Sequence, residues 1–253
     1  MKTINRLALV MVTVMALLAL SVPAQAYKVD SRIESTARKS YVFKTFLKND
    51  DIKIESKDGD VTLTGIVADN FNKSLAEETL AGIPGVKSVD NKLEIKGEPP
   101  TANSDAWIRD KVKVTLMFHR SVYASTTDVY VKDGIVTLQG YAANQAQKEL
   151  TTEYAKDVEG VKDVVNDMVV SSRSKKKAAT VGNKIDDASI TAQVKMTLLF
   201  HRSTSAVNTK VETKRGVVTL YGKASNVAEK DLVTKLANDV NGVEIVNNRM
   251  TVE

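Results

Sequence analysis

The sequence contains no cysteine, and this absence excludes several classes of protein. No disulfide can stabilise the chain, no thiolate can act as a nucleophile, and no lipid-modified cysteine can follow a leader peptide. The only two histidines, His119 and His201, lie in separate copies of a repeat and have no ligand-type neighbours in sequence. The sequence therefore predicts no metal site.

Aromatic residues are also scarce, at 5% of the chain, and the formal charge is only +5. Loss of Lys2 and Arg6 with the leader described below would reduce this charge to +3. Nucleic-acid-binding proteins usually carry a larger basic excess, so we exclude nucleic acid as a partner. Glycine-rich phosphate loops and catalytic triads are also missing from the sequence. We therefore predict no enzyme activity, no cofactor and no small-molecule substrate.

The first 26 residues have the pattern of a secretory signal peptide. Lys2 and Arg6 precede an apolar run over residues 7–20, and Ala24-Gln25-Ala26 is a small-x-small cleavage site. Because the run is shorter than the roughly 20 residues that a spanning helix needs, we favour cleavage after Ala26 over an uncleaved anchor. The predicted location is a bacterial periplasm.

Two short phrases each occur three times, in the same order and with the same gap between them. The first, Gly-x-Val-Thr-Leu-x-Gly, occupies residues 59–65, 134–140 and 216–222. The second, Gly-Val-x-x-Val-x-Asn, occupies residues 85–91, 160–166 and 242–248. The chain is therefore a threefold repeat of units of about 65 to 70 residues, a size that can fold independently.

The middle copy predicts a helix, a β-hairpin, a second helix and a third strand. Apolar residues at helical spacing indicate a first helix with Asp105 as its N-cap and His119 near its end. Alternating apolar residues on both sides of Asp133-Gly134 indicate the hairpin. The second helix is predicted from about Asn144 to Val158. The fold class is α+β, with three tandem αββαβ domains in which two helices cover one face of a three-stranded sheet.

In the first copy, the face that corresponds to the first helix carries a different set of residues. It holds Ile33, Ala37, Tyr41 and Lys44. We predict one continuous amphipathic helix there, as in the other two copies.

The three predicted domains are joined by two linkers of different composition. Domain 1 is residues 30–96, the first linker 97–104, domain 2 residues 105–171, the second linker 172–185, and domain 3 residues 186–253. The first linker contains Pro99-Pro100, which stiffens it. The second contains Lys175-Lys176-Lys177 and has a flexible composition. We therefore expect domain 3 to move more freely than the other two.

The glycines of the repeated phrases are predicted to have structural roles only. The hairpin turns use Gly59, Gly134 and Gly216, the C-caps of the second helices use Gly85, Gly160 and Gly242, and the strand ends use Gly65, Gly140 and Gly222. The repeated asparagines, Asn91, Asn166 and Asn248, are predicted to satisfy backbone groups near the start of the third strand.

Together the element order and the two phrases resemble the BON domain. A signal peptide followed by tandem copies resembles the osmotically inducible periplasmic protein Y family, whose usual form has two copies. This resemblance implies a non-enzymatic envelope protein linked to osmotic stress. Family members are associated with binding anionic phospholipid and with chaperoning outer-membrane or secreted proteins. In a related lipoprotein, lipid is contacted through the first helix of the second domain.

One surface of the predicted first helix in domain 2 is a candidate lipid or partner site. It carries the only tryptophan of the chain beside apolar and basic residues, a combination typical of interfacial membrane contact. The candidates are Trp107, Arg109, Lys111, Lys113, Val114, Met117 and Phe118, with Met196, Leu199 and Phe200 as a partial version in domain 3. Phe43, Phe118 and Phe200 are equivalent positions, so a shared core or a domain interface is the alternative.

The leading functional hypothesis is binding of anionic phospholipid membranes, mainly by domain 2. One alternative is a periplasmic chaperone that holds partly folded clients on apolar surfaces. Another is a structural spacer of the envelope. Lipid binding should weaken with salt because it depends on charge, whereas client holding should not.

Overall fold

The computed structural model of the chain describes residues 23–97, 100–171, 184–204 and 209–253. Most of the predicted signal peptide lies outside the described residues, as does Lys175-Lys176-Lys177 in the second linker. The first described helix begins at Pro23, and cleavage after Ala26 stays a prediction. No helix in the described part of the chain is long and apolar enough to span a bilayer.

The order of helices and strands repeats three times along the chain. The helices are α1 (Pro23–Lys39), α2 (Tyr41–Thr45), α3 (Asn70–Ala81), α4 (Asp105–Phe118), α5 (Gln145–Lys156), α6 (Asp187–Phe200) and α7 (Val227–Asn238). The strands are β1 (Asp51–Lys57), β2 (Asp60–Val67), β3 (Ser88–Ile95), β4 (Thr127–Lys132), β5 (Ile135–Ala142), β6 (Asp163–Asn166), β7 (Val169–Val170), β8 (Thr209–Lys214), β9 (Val217–Ala224), β10 (Ile245–Asn248) and β11 (Thr251–Val252). The α+β prediction of three αββαβ domains is confirmed.

Each domain contains a small mixed sheet with the second strand of the hairpin at its centre. In domain 1, β2 pairs antiparallel with β1 and parallel with β3. Domains 2 and 3 repeat this order, but their third strand is split into β6 and β7, and into β10 and β11, all paired with the central strand. On the central strand of domain 2, Val136, Leu138 and Ala142 are fully buried under the helices. The alternation therefore places one face of the sheet on the core and the other in solvent.

Both residues of each hairpin turn have positive φ, as a type I′ turn requires. The pairs are Asp58-Gly59, Asp133-Gly134 and Arg215-Gly216, with φ between 53° and 88°. The predicted hairpins are thus present even in domain 3, where Arg215 adopts φ 53° in the place of an aspartate.

An acidic residue on the first helix holds this hairpin turn in every domain. In domain 2 the N-cap is Ser104, whose hydroxyl accepts a hydrogen bond from the backbone N–H of Trp107, so the prediction of Asp105 as N-cap was wrong by one residue. The Asp105 carboxylate instead accepts hydrogen bonds from the backbone N–H groups of Asp133 (2.8 Å) and Gly134 (2.9 Å). The equivalent carboxylates of domains 1 and 3 belong to Asp30 and Asp187. Each turn, in which the glycine is buried and the first residue is exposed, thereby gains acceptors for both of its N–H groups.

The first helix of domain 1 is not continuous, contrary to the prediction. It breaks at Ser40, whose side chain caps α2 and also donates to the backbone carbonyl of Ala37. Ile33 and Ala37 are buried as predicted, but Lys44 is exposed beyond the break. The hydroxyl of Ser40 competes with the helical hydrogen-bond pattern, and the next turn starts in a new direction.

The repeated asparagines tie the third strand to the second helix. In domain 2 the Asn166 amide donates to the backbone carbonyl of Lys148 and to the hydroxyl of Thr152, both in α5, and its oxygen accepts from the backbone N–H of Met168. Asn91 and Asn248 make the same kinds of contact.

Two sets of repeated glycines have different roles from those predicted. Gly160 does not cap α5 directly; the helix ends at Lys156, and Gly160 lies in a following turn against Ile108 of α4. Gly140 lies inside β5 rather than at its end, with φ 115°. A Cβ there would overlap the carbonyl oxygen of Thr126 on the preceding segment. Gly65 and Gly222 also lie inside strands, where φ is 119° and 132°.

We expect Gly140→Ala to destabilise domain 2 by about 2 kcal/mol more than Gly97→Ala destabilises domain 1. Both glycines have positive φ, which alone costs an alanine about 1–2 kcal/mol, but a Cβ at Gly97 meets no atom within 4 Å whereas one at Gly140 overlaps backbone. Urea unfolding of the two variants measures the difference. Equal losses would show that strand β5 shifts to accommodate the methyl group.

Candidate functional site

Helix α6 of domain 3 lies at the centre of the molecule. Eleven of its 14 residues are buried, so it has no solvent face of any width. Ile190, Val194 and Leu198 pack into the core of domain 3, whereas Ala192 and Met196 on the opposite side pack into the core of domain 1. A helix that is buried on both sides shows no amphipathic stripe. The other two domains therefore pack on domain 3. The expectation that domain 3 moves more freely than the other two does not match this arrangement.

Polar contacts also join domain 1 to α6. The N-cap residue Asp186 accepts a hydrogen bond from the backbone N–H of Tyr41 at 2.7 Å, and Ser189 accepts one from the backbone N–H of Val42 at 3.1 Å. Helix α3 approaches α6 closely where a Cβ on Gly82 would lie 3.2 Å from the Cα of Ala188. The start of α6 thus completes the broken first helix of domain 1.

Four phenylalanines from all three domains meet beside α6. The ring centroid of Phe118 in α4 lies 5.4 Å from that of Phe46 and 5.7 Å from that of Phe71, both in domain 1. The ring centroid of Phe71 lies 5.9 Å from that of Phe200 in α6. These separations are those of edge-to-face and tilted aromatic pairs in protein cores. The aromatic cluster therefore belongs to a core shared by the three domains.

The candidate lipid surface is consequently divided by the structure. Four of its apolar members are buried in the shared core: Val114, Phe118, Met196 and Phe200. In this arrangement the four side chains cannot contact a membrane or a client. They match the alternative hypothesis, in which the stripe belongs to a shared core or a domain interface. The sequence could not choose between the two, because a stripe at helical spacing looks the same whether lipid or protein covers it.

The other candidates remain in contact with solvent. Lys113, Met117 and Leu199 are exposed, and Trp107 and Arg109 are half-buried. Arg109 pairs with its neighbour Asp110 at 2.8 Å. Arg109, Lys113 and Met117 share the side of α4 that faces away from the core.

Lys111 is the most enclosed of the basic candidates. Its ammonium group lies 3.5 Å above the ring of Trp107, 5.1 Å from the ring of Phe200 and 3.0 Å from the Glu159 carboxylate. Burial lowers the pKa of Lys111, although Glu159 acts in the opposite direction. The cation is held by an aromatic ring and an acid, and it is not free for a phosphate group.

A cleft of about 110 Å³ opens beside this lysine, between the three domains. Its apolar lining consists of Phe71, Pro100, Trp107, Met196, Leu199 and Phe200. Two acids, Asp69 and Asp110, stand at the same cleft, and burial followed by the charge of Asp110 raises the pKa of Asp69. The cleft is therefore apolar with an acidic side, which disfavours an anionic headgroup within it.

Domains 2 and 3 face each other across an approximate twofold axis. The backbone N–H of Arg120 donates to the carbonyl of Asp239, and that of Arg202 donates to the carbonyl of Asp157, each at 2.9 Å. These residues are equivalent in the repeat, so each domain offers the same surface to the other, as in an isologous dimer. Domain 1 has Thr45 in the place of the arginines, and it packs on the pair in a different way.

The sheet of domain 2 has a solvent-exposed apolar face that sequence analysis missed. Tyr130 (56% exposed) and Val165 (45% exposed) flank Thr137 in one row, and Tyr141 lies beside Val169 in another. Domain 1 has Glu55, Asp90 and Glu94 at the positions of Tyr130, Val165 and Val169. The signal in the sequence is that outward-facing strand positions are apolar in the second copy and acidic in the first, and a comparison of these positions among the copies would have found this face.

Among the described residues, no group of three or more histidine, aspartate and glutamate side chains is placed to hold a metal ion. His119 and His201 lie instead at the interface of domains 2 and 3, each beside one carboxylate of the other domain. Neither histidine reaches the cleft.

Comparison with known proteins agrees with the repeated fold. The BON domain profile matches the chain three times, at residues 29–97, 104–172 and 186–253. Osmotically-inducible protein Y of Escherichia coli (strain K12) is 35% identical over 144 residues, which are 57% of this chain and 70% of that protein. The outer membrane lipoprotein DolP of Haemophilus influenzae is 28% identical over 162 residues, which are 64% of this chain and 74% of that protein.

Among solved structures, the chain aligns with CdsD, a structural protein of the type III secretion system of Chlamydia trachomatis. The alignment covers 87% of this chain and 90% of that chain, at 16% identity and a TM-score of 0.24. A superposition this poor carries no information on how the three domains are arranged.

Adjacent residues on α4 provide a direct test of the shared core. Phe118→Ala should lower the free energy of unfolding by about 3–5 kcal/mol, because it removes a fully buried ring from the aromatic cluster. Met117→Ala, which truncates an exposed side chain on the same turn, should change it by only about 0.5 kcal/mol. Urea denaturation of both variants checks this, and similar small effects would place Phe118 at the surface.

Proposed function

The chain belongs to the BON domain family, and from this we propose that it acts in the cell envelope under osmotic stress by binding anionic phospholipid surfaces. Two relatives support this setting by their names, one an osmotically-inducible protein and the other an outer membrane lipoprotein. Periplasmic location after cleavage of the predicted signal peptide is part of the proposal. In this proposal the protein acts by binding and does not catalyse a reaction.

The observation that carries this proposal is the exposed face of α4. With the apolar stripe turned into the shared core, the outward side of α4 presents Arg109 and Lys113 around the exposed Met117. Lys113 makes no ion pair with any described residue, whereas Arg109 is paired with its neighbour Asp110. A basic face with one apolar side chain suits adsorption to anionic headgroups, each cation near the surface contributing about 1 kcal/mol.

Among the described residues, the first helices of domains 1 and 3 lack this combination. On α6, the lysine equivalent to Lys113 is Lys195, and it forms an ion pair with Glu78 of domain 1 at 2.6 Å. In domain 1, Glu34 stands where domain 2 has Arg109, and it accepts a hydrogen bond from the backbone N–H of Ser56. Domain 2 is therefore the proposed membrane-contacting unit, supported by the other two.

Flotation with lipid vesicles tests the proposal. The purified, exported protein should float with anionic vesicles at low salt, and less so at about 0.5 M salt, where charges are screened within about 4 Å. The double variant Arg109→Glu, Lys113→Glu should bind at least about tenfold more weakly, because the unpaired cation of Lys113 is lost and two repulsive charges are created.

The matched control is Lys53→Glu, Lys57→Glu, which makes the same change of net charge on the exposed strand β1 of domain 1. It should float nearly as well as the wild type. Equal loss in both variants would mean that only total charge matters and that α4 is not the contact surface.

A second candidate function, holding of partly folded client proteins, is favoured by the exposed sheet face of domain 2. Tyrosine and β-branched side chains on one open face form a surface that an extended apolar segment could cover. The face also carries acidic residues, Asp128 and Asp163, which disfavour contact with an anionic membrane. Client holding and lipid binding thus belong to different sides of domain 2.

An uncharged substitution of this face separates the two functions. Tyr130→Gln, Val165→Asn, Val169→Thr uses at its last two positions the residues that domain 3 has there. If clients are held on the sheet, this variant should lose the ability to suppress aggregation of a urea-denatured outer-membrane protein, at low and high salt alike, while vesicle flotation is unchanged. Unchanged suppression would exclude the sheet face as the client site. A spacer would show neither activity.

A further inference from the structure

The two histidines of the chain meet at the approximate twofold axis between domains 2 and 3. His119 is 1% exposed and His201 is 9% exposed. Both line one small enclosed cavity, together with Thr115 and Thr197 of the first helices. The hydroxyls of these two threonines and the Nε2 atoms of both histidines have no hydrogen-bond partner among the described residues. The most buried polar part of the interface is therefore only partly satisfied.

His201 is held in its neutral form by a backbone donor. The backbone N–H of Ser203 donates a hydrogen bond to Nδ1 of His201 at 3.1 Å, so this nitrogen carries no proton. The other nitrogen, Nε2, lies 3.5 Å from the Asp157 carboxylate. A second proton on the ring would have to go to Nδ1, where it would face the N–H of Ser203. The imidazolium form therefore costs a hydrogen bond and sets two donors against each other.

His119 occupies the equivalent place but has different neighbours. Its ring is stacked on Tyr154 at 3.8 Å, and its Nδ1 lies 3.2 Å from the Asp239 carboxylate without hydrogen-bond alignment. The hydroxyls of Tyr154 and Ser121 donate to that same carboxylate. An acid therefore faces Nδ1 of His119, whereas a backbone donor faces Nδ1 of His201.

Two groups beside the cavity, His201 and Asp239, both have a lowered pKa in the closed interface. Burial lowers the pKa of His201, and Arg202 and His119 lower it further, although Asp157 opposes them. Burial acts to raise the pKa of Asp239, but His119, Ser121 and Tyr154 lower it overall. Both groups hold a proton less well in the closed interface than in water. As pH falls through about 6.5, the ordinary pKa of histidine, proton binding by His201 therefore favours separation of domains 2 and 3. Proton binding by Asp239 adds to this effect only below about pH 4.

We propose that the interface of domains 2 and 3 is a pH-sensitive junction, closed while His201 is neutral and opened when His201 takes up a proton. Opening withdraws α4 from α6 and uncovers side chains of the shared core, among them Phe118 and Phe200. Mild acid would thus expose the apolar surface that is enclosed at neutral pH. This proposal does not depend on which ligand the protein binds.

Trp107 is a built-in reporter of this opening, because it is the only tryptophan and lies in the cleft with side chains of domains 1 and 3. As the pH is lowered from 8, its fluorescence should move to longer wavelength, with a midpoint below the ordinary histidine value of about 6.5. The radius of gyration from small-angle scattering should rise over the same range, while far-UV circular dichroism stays constant. No change in fluorescence and radius would overturn the proposal.

Two matched variants assign the transition. His201→Gln is permanently uncharged and retains an acceptor for the N–H of Ser203, so it should abolish the transition, whereas His119→Gln should retain it. A transition that persists unchanged in His201→Gln, or that disappears only in His119→Gln, would refute the assignment. The wild type provides a second measurement that requires no folded variant. The NMR ring signal of His201 should titrate with the midpoint of the fluorescence change, and a different midpoint would contradict the proposal.

Discussion

The burial of α6 on both of its sides holds the three domains together. One side completes the core of domain 3, and the other side completes the core of domain 1, where Ala188 and Gly82 allow two helices to approach closely. A small domain buries a limited fraction of its surface alone. By sharing one helix, domains 1 and 3 each gain apolar contacts that neither would have in a flexible string of repeats.

The second constraint is the pairing of domains 2 and 3. Equivalent residues of the two domains exchange equivalent backbone hydrogen bonds, so the repeat behaves like two subunits of a dimer within one chain. Domain 1 has lost this capacity because its first helix breaks at Ser40 and because Thr45 and Gly82 replace the arginine and the aspartate. Three similar sequences therefore produce a pair plus one domain, and not a threefold arrangement.

This arrangement explains why domain 2 carries the surfaces proposed to bind partners. Domain 1 covers α6 with α3, and domain 3 is enclosed on two sides. Domain 2 contributes Phe118 and Val114 to the shared core but leaves the outer side of α4 and the whole outer face of its sheet in solvent. The interface between domains 2 and 3 contains both histidines and holds domain 2 in place. In the proposed junction, protonation of His201 therefore changes the position of the outer side of α4 and of the sheet face, although His201 belongs to neither surface.

The sequence by itself determined the content of each domain. Spacing of Gly134, Gly140 and Gly160 and their counterparts predicted the repeat, the hairpins and the αββαβ order, because turns and periodicity are local properties. Only the tertiary structure decided how the domains pack. Phe118 and Met117 are adjacent apolar residues on one helix, yet one is in the core and the other in solvent. That difference depends on which neighbour covers the helix, and contacts between residues far apart in sequence leave no periodic signal in a single chain.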